Sequence, residues 1–139
     1  MSTERPAAKS KLLRPVYGPI QAGFPSPAGD YVEEGLDLEE HLIKNKAATF
    51  YYRIRGDSMF PTIQDKALVV VDRSRKPRHG HIVIASVNGE YTVKRFFRRD
   101  KKISLNPDNQ DFPEIPVAPE TQLEIVGVIT FIIHDACTP

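Results

Sequence analysis

The stretch Ile54-Arg55-Gly56-Asp57-Ser58-Met59-Phe60-Pro61-Thr62 decides how this chain is organised. It follows the aromatic run Thr49-Phe50-Tyr51-Tyr52-Arg53, whose composition is typical of a half-buried β-strand. Gly56 permits a sharp turn, and Pro61 has no N–H with which to continue a strand. The pattern predicts that Ser58 lies on a turn directly after a strand, where a rigid scaffold could present a nucleophile. An ordinary polar turn explains Gly-Asp-Ser equally well.

A serine hydroxyl is a weak nucleophile until a base takes its proton, and a second stretch offers a lysine for that role. The segment 81–96 reads His-Ile-Val-Ile-Ala-Ser-Val-Asn-Gly-Glu-Tyr-Thr-Val-Lys-Arg-Phe. Asn88-Gly89 between two β-prone runs predicts a hairpin with a two-residue turn. The register of that hairpin pairs Val87 with Glu90 and Val83 with Lys94.

The predicted hairpin places Lys94 on an apolar face, because side chains alternate along a strand. An ammonium group on such a face is desolvated, which lowers its pKa and makes it a better base. A lysine at a sheet edge that reaches solvent remains the alternative. The residues predicted to share the face of Lys94 are Val83, Ala85, Thr92 and Phe96.

These motifs resemble those of the LexA/UmuD family of self-cleaving proteins, which use a Ser–Lys dyad. The matching stretches are Gly56-Asp57-Ser58-Met59 and Thr92-Val93-Lys94-Arg95. Further matches are Gly80-His81-Ile82-Val83-Ile84-Ala85 and Leu105-Asn106-Pro107. Upstream, Ala22-Gly23-Phe24-Pro25-Ser26-Pro27-Ala28 is similar to the cleavage region of UmuD. The resemblance spans residues 20–133 and keeps the family's order of motifs.

The resemblance implies a set of site residues. Ser58 would be the nucleophile and Lys94 the general base. The scissile bond would be Ala22–Gly23, and the backbone N–H groups of Asp57 and Ser58 would hold the oxyanion. The resemblance implies neither a metal nor a cofactor.

Two short segments depart from the UmuD pattern. Phe60-Pro61-Thr62-Ile63 is one residue shorter than usual and is more similar to the corresponding box of signal peptidases, which use the same dyad. Gln64-Asp65-Lys66-Ala67 stands where a Gly-Asp turn is usual. We therefore expect the loop to differ in local shape while the dyad is kept.

Composition narrows the class of protein. The 19 basic and 18 acidic residues nearly balance, so we do not expect direct DNA binding by the whole chain. The basic clusters at 73–78 and 98–102 are more typical of solvated turns than of phosphate sites. A single cysteine, Cys137, favours a reducing, cytoplasmic location. No apolar run approaches the roughly 20 residues of a membrane span, which argues against a signal peptidase.

The pattern of β-prone runs and turns predicts a small, mostly β domain of about seven strands. One short helix is predicted to begin at Asp37, since Asp37-x-x-Glu40 resembles a capping box. We expect residues 1–29 to form a flexible N-terminal arm that contains the cleavage site. Residues 30–139 would form the β-rich Ser–Lys peptidase domain, with the β-clip-like core that the family resemblance implies.

The resemblance implies a role in SOS mutagenesis. A RecA filament on single-stranded DNA would stimulate self-cleavage, and the product would form a homodimer. That dimer would join a UmuC-like subunit, a Y-family polymerase, for lesion bypass. Two alternatives stay open. One is a non-catalytic, protein-binding regulator on the same fold, and the other is a fragment of a phage- or plasmid-type LexA-like repressor.

Overall fold

The computed structural model describes residues 12–25, 27 and 32–137, and the chain divides into two compact units between Leu42 and Ile43. In the first unit, β1 (Leu13–Tyr17) pairs antiparallel with β2 (Val32–Asp37). The helix α1 (Leu38–Leu42) follows β2 directly. Asp37 Oδ1 accepts a hydrogen bond of 3.2 Å from the Glu40 N–H. This capping bond confirms the predicted helix start at Asp37.

Strand β1 lies within the range predicted to be a flexible arm. Its sequence, Leu-Arg-Pro-Val-Tyr, contains a proline and follows a basic stretch, so local pattern gave no strand signal. Its partner β2 begins 15 residues after β1 ends, and such pairing has no local signature. Residues 1–11 lie outside the described residues, and the predicted boundary between residues 29 and 30 stays a prediction.

The second unit is built on one antiparallel sheet. Its strand order is β3-β4-β9-β5-β6-β7-β8, so β9 lies between β4 and β5. The sequence predicts about seven strands, which is the number in this sheet, and β1 and β2 are additional; the mostly β fold is confirmed. The strands are β3 (Thr49–Arg53), β4 (Leu68–Asp72), β5 (Ile82–Val87), β6 (Glu90–Arg99), β7 (Lys102–Asn106), β8 (Ile115–Pro116) and β9 (Leu123–Ile133).

The hairpin between β5 and β6 has the predicted register. Val87 pairs with Glu90 and Val83 pairs with Lys94. The turn residues Asn88 and Gly89 have φ angles of 50° and 86°. A two-residue turn of this kind needs positive φ at both positions, which asparagine and glycine tolerate best. The turn thereby fixes which face of β6 carries Lys94.

The sheet of the second unit is buried on both faces at β5. Ile84 belongs to one hydrophobic cluster, while Val83 and Ala85 belong to another. The first cluster includes Met59 and Ile63 from the loop after β3. The second cluster also contains Phe96, Leu105 and Val128. Core residues therefore support the Ser58 loop and the Lys94 strand at the same time.

Gly127 on β9 gives a stability prediction. A Cβ atom there would lie 2.6 Å from Val71 Cγ1 and 3.1 Å from the Asp72 carbonyl oxygen, so the strands would have to move apart. We expect Gly127→Ala to lower the free energy of unfolding by about 1–3 kcal/mol, the usual range for overpacking. Urea unfolding followed by circular dichroism measures this. Glu124→Ala, at an exposed position of the same strand, is the control and should change stability by less than about 0.5 kcal/mol. Equal stability of the Gly127→Ala variant and the unsubstituted chain would contradict the packing argument.

Candidate active site

Ser58 lies on a loop that the core holds in place. Gly56 adopts a φ of 96°, and its N–H donates to Asp65 Oδ1 at 2.8 Å, which closes the loop on itself. Met59 is 2 % exposed and Ile63 is fully buried, so both side chains anchor the segment that follows the serine. Ser58 itself is partly exposed. The prediction of a serine displayed on a turn after a strand is confirmed.

The segment Gln64-Asp65-Lys66-Ala67, which stands where a Gly-Asp turn is usual, closes this loop without a glycine. Lys66 has a φ of 72°, a left-handed conformation that glycine adopts more readily. The Lys66 N–H donates to the Ile54 carbonyl oxygen at 2.8 Å, and Arg53 Nη1 donates to the Lys66 carbonyl oxygen at 2.9 Å. These bonds hold the turn although no glycine is present there.

The structure brings Lys94 into contact with Ser58, 36 residues away. Lys94 Nζ donates to Ser58 Oγ at 3.1 Å, to Thr92 Oγ1 at 2.8 Å and to the Val93 carbonyl oxygen at 3.0 Å. Thr92 and Lys94 are two residues apart on β6, so they share a face of the strand. Lys94 is 7 % exposed and does not reach solvent as a lysine at a sheet edge would.

Burial lowers the pKa of Lys94 below the ordinary value of 10.5. Low-polarity surroundings disfavour the charged ammonium and leave the neutral amine relatively unaffected. The three groups that accept its hydrogen bonds are a hydroxyl, a second hydroxyl and a carbonyl, all of them neutral. Since none of these acceptors carries a negative charge, they do not offset the cost of desolvation. Lowering the pKa makes a larger fraction of the amine neutral at a given pH, so Lys94 is better suited to accept a proton than a solvated lysine.

A second polar cluster holds the loop that carries Ser58. Arg95 donates to both oxygens of Asp108, through Nε to Oδ1 at 2.8 Å and through Nη2 to Oδ2 at 2.7 Å. The hydroxyl of Thr62 donates to Asp108 Oδ2 as well. The hydrogen bonds from Arg95 lower the pKa of the Asp108 carboxyl. Thr62 lies four residues after Ser58, so this cluster joins the Ser58 loop to β6.

Asn109 contacts the backbone on both sides of the Ser58 α-carbon. Its side-chain Nδ2 donates to the Asp57 carbonyl oxygen at 2.9 Å, and its backbone N–H donates to the Ser58 carbonyl oxygen at 3.0 Å. Neither Asn109 nor Asp108 was predicted from the sequence as a residue of the site. The one signal in that region was the nearby Leu105-Asn106-Pro107 match, which marks the segment but not the contacts.

Ser58 opens onto a cleft of about 560 Å³. The floor is apolar, with Ile54, Met59 and Ile84 among the lining residues. Other lining residues are polar or charged, namely Tyr52, Arg53, Arg55, Arg73, Tyr91 and Thr92. A cleft of this volume can accept a short peptide segment. Ser58 lies at its wall, and so do Thr92 and Val93, the two residues that precede Lys94 on β6.

The predicted cleavage residues Ala22 and Gly23 belong to the first unit. They lie between β1 and β2, and both are exposed there. In the part of the chain that the structure describes, no group of three or more histidine, cysteine, aspartate or glutamate side chains could hold a metal ion. No described helix is long and apolar enough to cross a membrane.

Comparisons with known proteins identify a family and several relatives of this chain. The Peptidase S24-like family matches residues 15–130. Protein SamA of Salmonella typhimurium strain LT2 is 48% identical over 135 residues, covering 88% of this chain and 94% of SamA. Protein ImpA of Escherichia coli is 44% identical over 131 residues, covering 93% and 89%. Protein MucA of Escherichia coli is 42% identical over 122 residues, covering 85% and 83%.

The match over most of its length places this chain in the Peptidase S24-like family, whose members are self-cleaving serine peptidases. Its relatives SamA, ImpA and MucA are UmuD-like proteins, so this chain is a UmuD-like SOS mutagenesis protein with a self-cleaving peptidase domain. The predicted resemblance to the LexA/UmuD family is thereby confirmed.

The buried lysine makes stability depend on pH. Because the native state lowers the pKa of Lys94, the unfolded chain binds a proton that the native chain lacks, in the range between the lowered value and 10.5. The free energy of unfolding should therefore rise with pH across that range, relative to a Lys94→Met variant. Both proteins would carry Ser58→Ala, so that neither cleaves itself, and urea unfolding from pH 7 to 10.5 would be compared. A constant difference between the two curves would show that burial does not perturb Lys94.

Proposed function

We propose that Ser58 and Lys94 form the catalytic dyad with which this protein cleaves its own Ala22–Gly23 bond. The observation that carries the proposal is the 3.1 Å contact between Ser58 Oγ and the amine of a buried lysine. A nucleophile within hydrogen-bond reach of a base whose pKa is lowered is the arrangement that acyl transfer requires. The membership of the chain in a family of self-cleaving serine peptidases supports the same reading.

In the proposed reaction, neutral Lys94 takes the proton of the Ser58 hydroxyl as Ser58 Oγ attacks the carbonyl carbon of Ala22. The C–N bond to Gly23 then breaks, and protonated Lys94 gives its proton to the leaving amine of Gly23. Water hydrolyses the resulting ester, with Lys94 again acting as base, and this restores the Ser58 hydroxyl. No step needs a metal or an external cofactor.

The backbone of the loop supports the proposed oxyanion site at Asp57 and Ser58. Within the described residues, their N–H groups donate to no protein acceptor, whereas the neighbouring Gly56 N–H and Phe60 N–H both do. Free N–H groups beside the nucleophile can bind the negative oxygen that develops as Ser58 attacks. We assign them that role, and we assign the small side chain of Ala22 to the cleft beside Ser58.

For the cellular role, we propose that a RecA filament on single-stranded DNA stimulates cleavage in the cytoplasm. The processed chain would then form a homodimer and join a UmuC-like Y-family polymerase. The relationship to UmuD-like proteins supports these partners. The filament need not supply a catalytic group. It would act by binding more tightly to the conformer in which the cleavage segment fills the cleft, and its effect could not exceed that difference in affinity.

The alternative of a non-catalytic regulator is disfavoured by the setting of Lys94. Burying an ammonium group without a charged partner destabilises a protein. A fold used only for protein binding would gain nothing from a buried lysine held against a serine hydroxyl. The arrangement has a clear use only if the amine acts on Ser58.

We expect Ser58→Ala and Lys94→Ala each to abolish self-cleavage while circular dichroism shows an intact fold. The double variant should be no worse than either single variant, because the two residues act as one unit. Lys101→Ala, which removes an exposed lysine outside the site, is the control and should cleave normally. A Ser58→Ala protein that still yields the same fragment would end the proposed mechanism.

The product should begin at Gly23. Replacing Gly23 by a bulky residue, as in Gly23→Phe, should block cleavage, because the scissile bond could no longer approach Ser58 closely. Gly23→Ala, the smallest change, serves as the control and should slow cleavage less. Intact-mass measurement of purified, incubated protein gives the N-terminus directly. A stable product with a different first residue would refute the assignment of the bond.

The rate of unstimulated cleavage should rise with pH. Only neutral Lys94 can accept a proton, so below its pKa the rate should increase about tenfold per pH unit and then level off. Rates measured from pH 6 to 10, on protein that remains folded by circular dichroism, test this. A flat profile, or a rate that falls above pH 7, would show that Lys94 is not the titrating base.

A further inference from the structure

Asn109 holds the two peptide groups that flank the α-carbon of Ser58. Its side-chain amide binds the Asp57 carbonyl oxygen, and its backbone N–H binds the Ser58 carbonyl oxygen. The donor and acceptor residues are about 50 positions apart in sequence, so these bonds connect separate parts of the second unit. The Phe60 N–H also donates to the Asp57 carbonyl oxygen, at 3.0 Å, but within the described residues only Asn109 donates a hydrogen bond to both carbonyl oxygens.

The planarity of the peptide bond turns these two contacts into a constraint on Ser58. In a trans peptide group, the carbonyl oxygen of one residue and the N–H of the next point in opposite directions. Holding the Asp57 oxygen therefore sets the direction of the Ser58 N–H, a proposed oxyanion donor. Holding the Ser58 oxygen fixes the peptide plane on the other side. With both planes fixed, the direction of the Ser58 Cα–Cβ bond is fixed as well, and rotation about that bond brings Oγ to 3.1 Å from Lys94 Nζ.

Asn109 is itself held in this orientation. Its Oδ1 accepts a hydrogen bond from the Asp111 N–H at 3.0 Å, which leaves Nδ2 to face the Asp57 oxygen. The preceding residue, Asp108, is bound through both carboxylate oxygens to Arg95, the neighbour of Lys94 on β6. Lys94, which binds Ser58, and Arg95, which holds the Asp108–Asn109 loop, are therefore adjacent residues of β6.

We propose that Asn109 is a positioning residue for the dyad, which aligns the Ser58 N–H and hydroxyl for attack. This inference rests on the proposed function of Ser58 and Lys94. Asn109 acts through the Ser58 backbone and touches no reacting atom. Its loss should lower the rate of the chemical step without changing the basicity of Lys94, because Asn109 contacts neither Lys94 nor the Thr92 and Val93 groups that bind it.

Two variants test the proposal. Asn109→Asp keeps an oxygen that can accept the Asp111 N–H, so the local turn is preserved, but it has no donor for the Asp57 oxygen. Asn109→Ala removes the donor without adding a charge. For both variants we expect the limiting rate of self-cleavage at high pH to fall at least about tenfold, since an oxyanion donor contributes about 10²–10³ in rate. Gln110→Ala, at the exposed neighbouring position, should cleave at the normal rate.

The pH profile separates positioning from other effects. In Asn109→Ala the midpoint of the rate profile should stay where it is in the unsubstituted protein, while the plateau falls. In Asn109→Asp the added charge can move the midpoint to higher pH, but the plateau should fall as well. Urea unfolding of both variants in a Ser58→Ala background gives the folded fraction of each, and the plateau rates are compared per folded molecule.

Each contrary outcome has a distinct meaning. Normal plateaus in both Asn109 variants, alongside inactive Ser58→Ala, would overturn the role of Asn109 and leave the dyad intact. A plateau that falls only in proportion to the unfolded fraction would overturn it too, because the residue would then be merely structural. Cleavage that persists in Ser58→Ala, or a chain that never cleaves, would overturn the proposed function and this inference together.

Discussion

The removal of Lys94 from water is the constraint on which the site depends. A solvated lysine at the same 3.1 Å from Ser58 Oγ would stay protonated at neutral pH and could not accept a proton. The β5–β6 hairpin supplies the burial, since its register sets Lys94 opposite Val83 and on the same face as Phe96, both of them in the core. The Asn88-Gly89 turn therefore lowers the pKa of Lys94 indirectly, because it fixes the register that buries this lysine.

One pleated strand serves two purposes on its two faces. Lys94 points toward Ser58, while Arg95 points the other way and binds Asp108 through both carboxylate oxygens. The loop that carries Asp108 and Asn109 then returns to Ser58 through the Thr62 side chain and the backbone of Asp57. Ser58 and Lys94 are thus connected twice, directly to each other and indirectly through Arg95 and the Asp108–Asn109 loop. A shift of β6 would therefore move Ser58 together with Lys94.

The sequence predicted the elements whose signals are local. The Asn88-Gly89 turn and the alternation of side chains along a strand were sufficient to predict the hairpin register. Runs of β-prone residues and the turns between them were sufficient to predict about seven strands. Strands β1 and β2 were both missed. Leu13–Tyr17 contains a proline, Val32–Asp37 contains three acidic residues, and each forms a strand only by pairing with the other across the intervening residues. Asn109 was missed for a related reason. An asparagine in a turn has an ordinary local explanation, and its contact with Asp57 exists only after the chain folds back over 52 residues.

The central position of β9 has a consequence for when the peptidase can first work. Strands β4 and β5 do not pair with each other, because β9 lies between them and pairs with both. Ser58 precedes β4 in the chain, and Lys94 lies on β6, after β5. Strand β9, which joins β4 to β5 in the sheet, is synthesised after both residues. During synthesis, Ser58 and Lys94 therefore emerge from the ribosome before the sheet that aligns them can close. The arrangement of Ser58 against Lys94 thus belongs to the finished sheet and not to any shorter length of the chain.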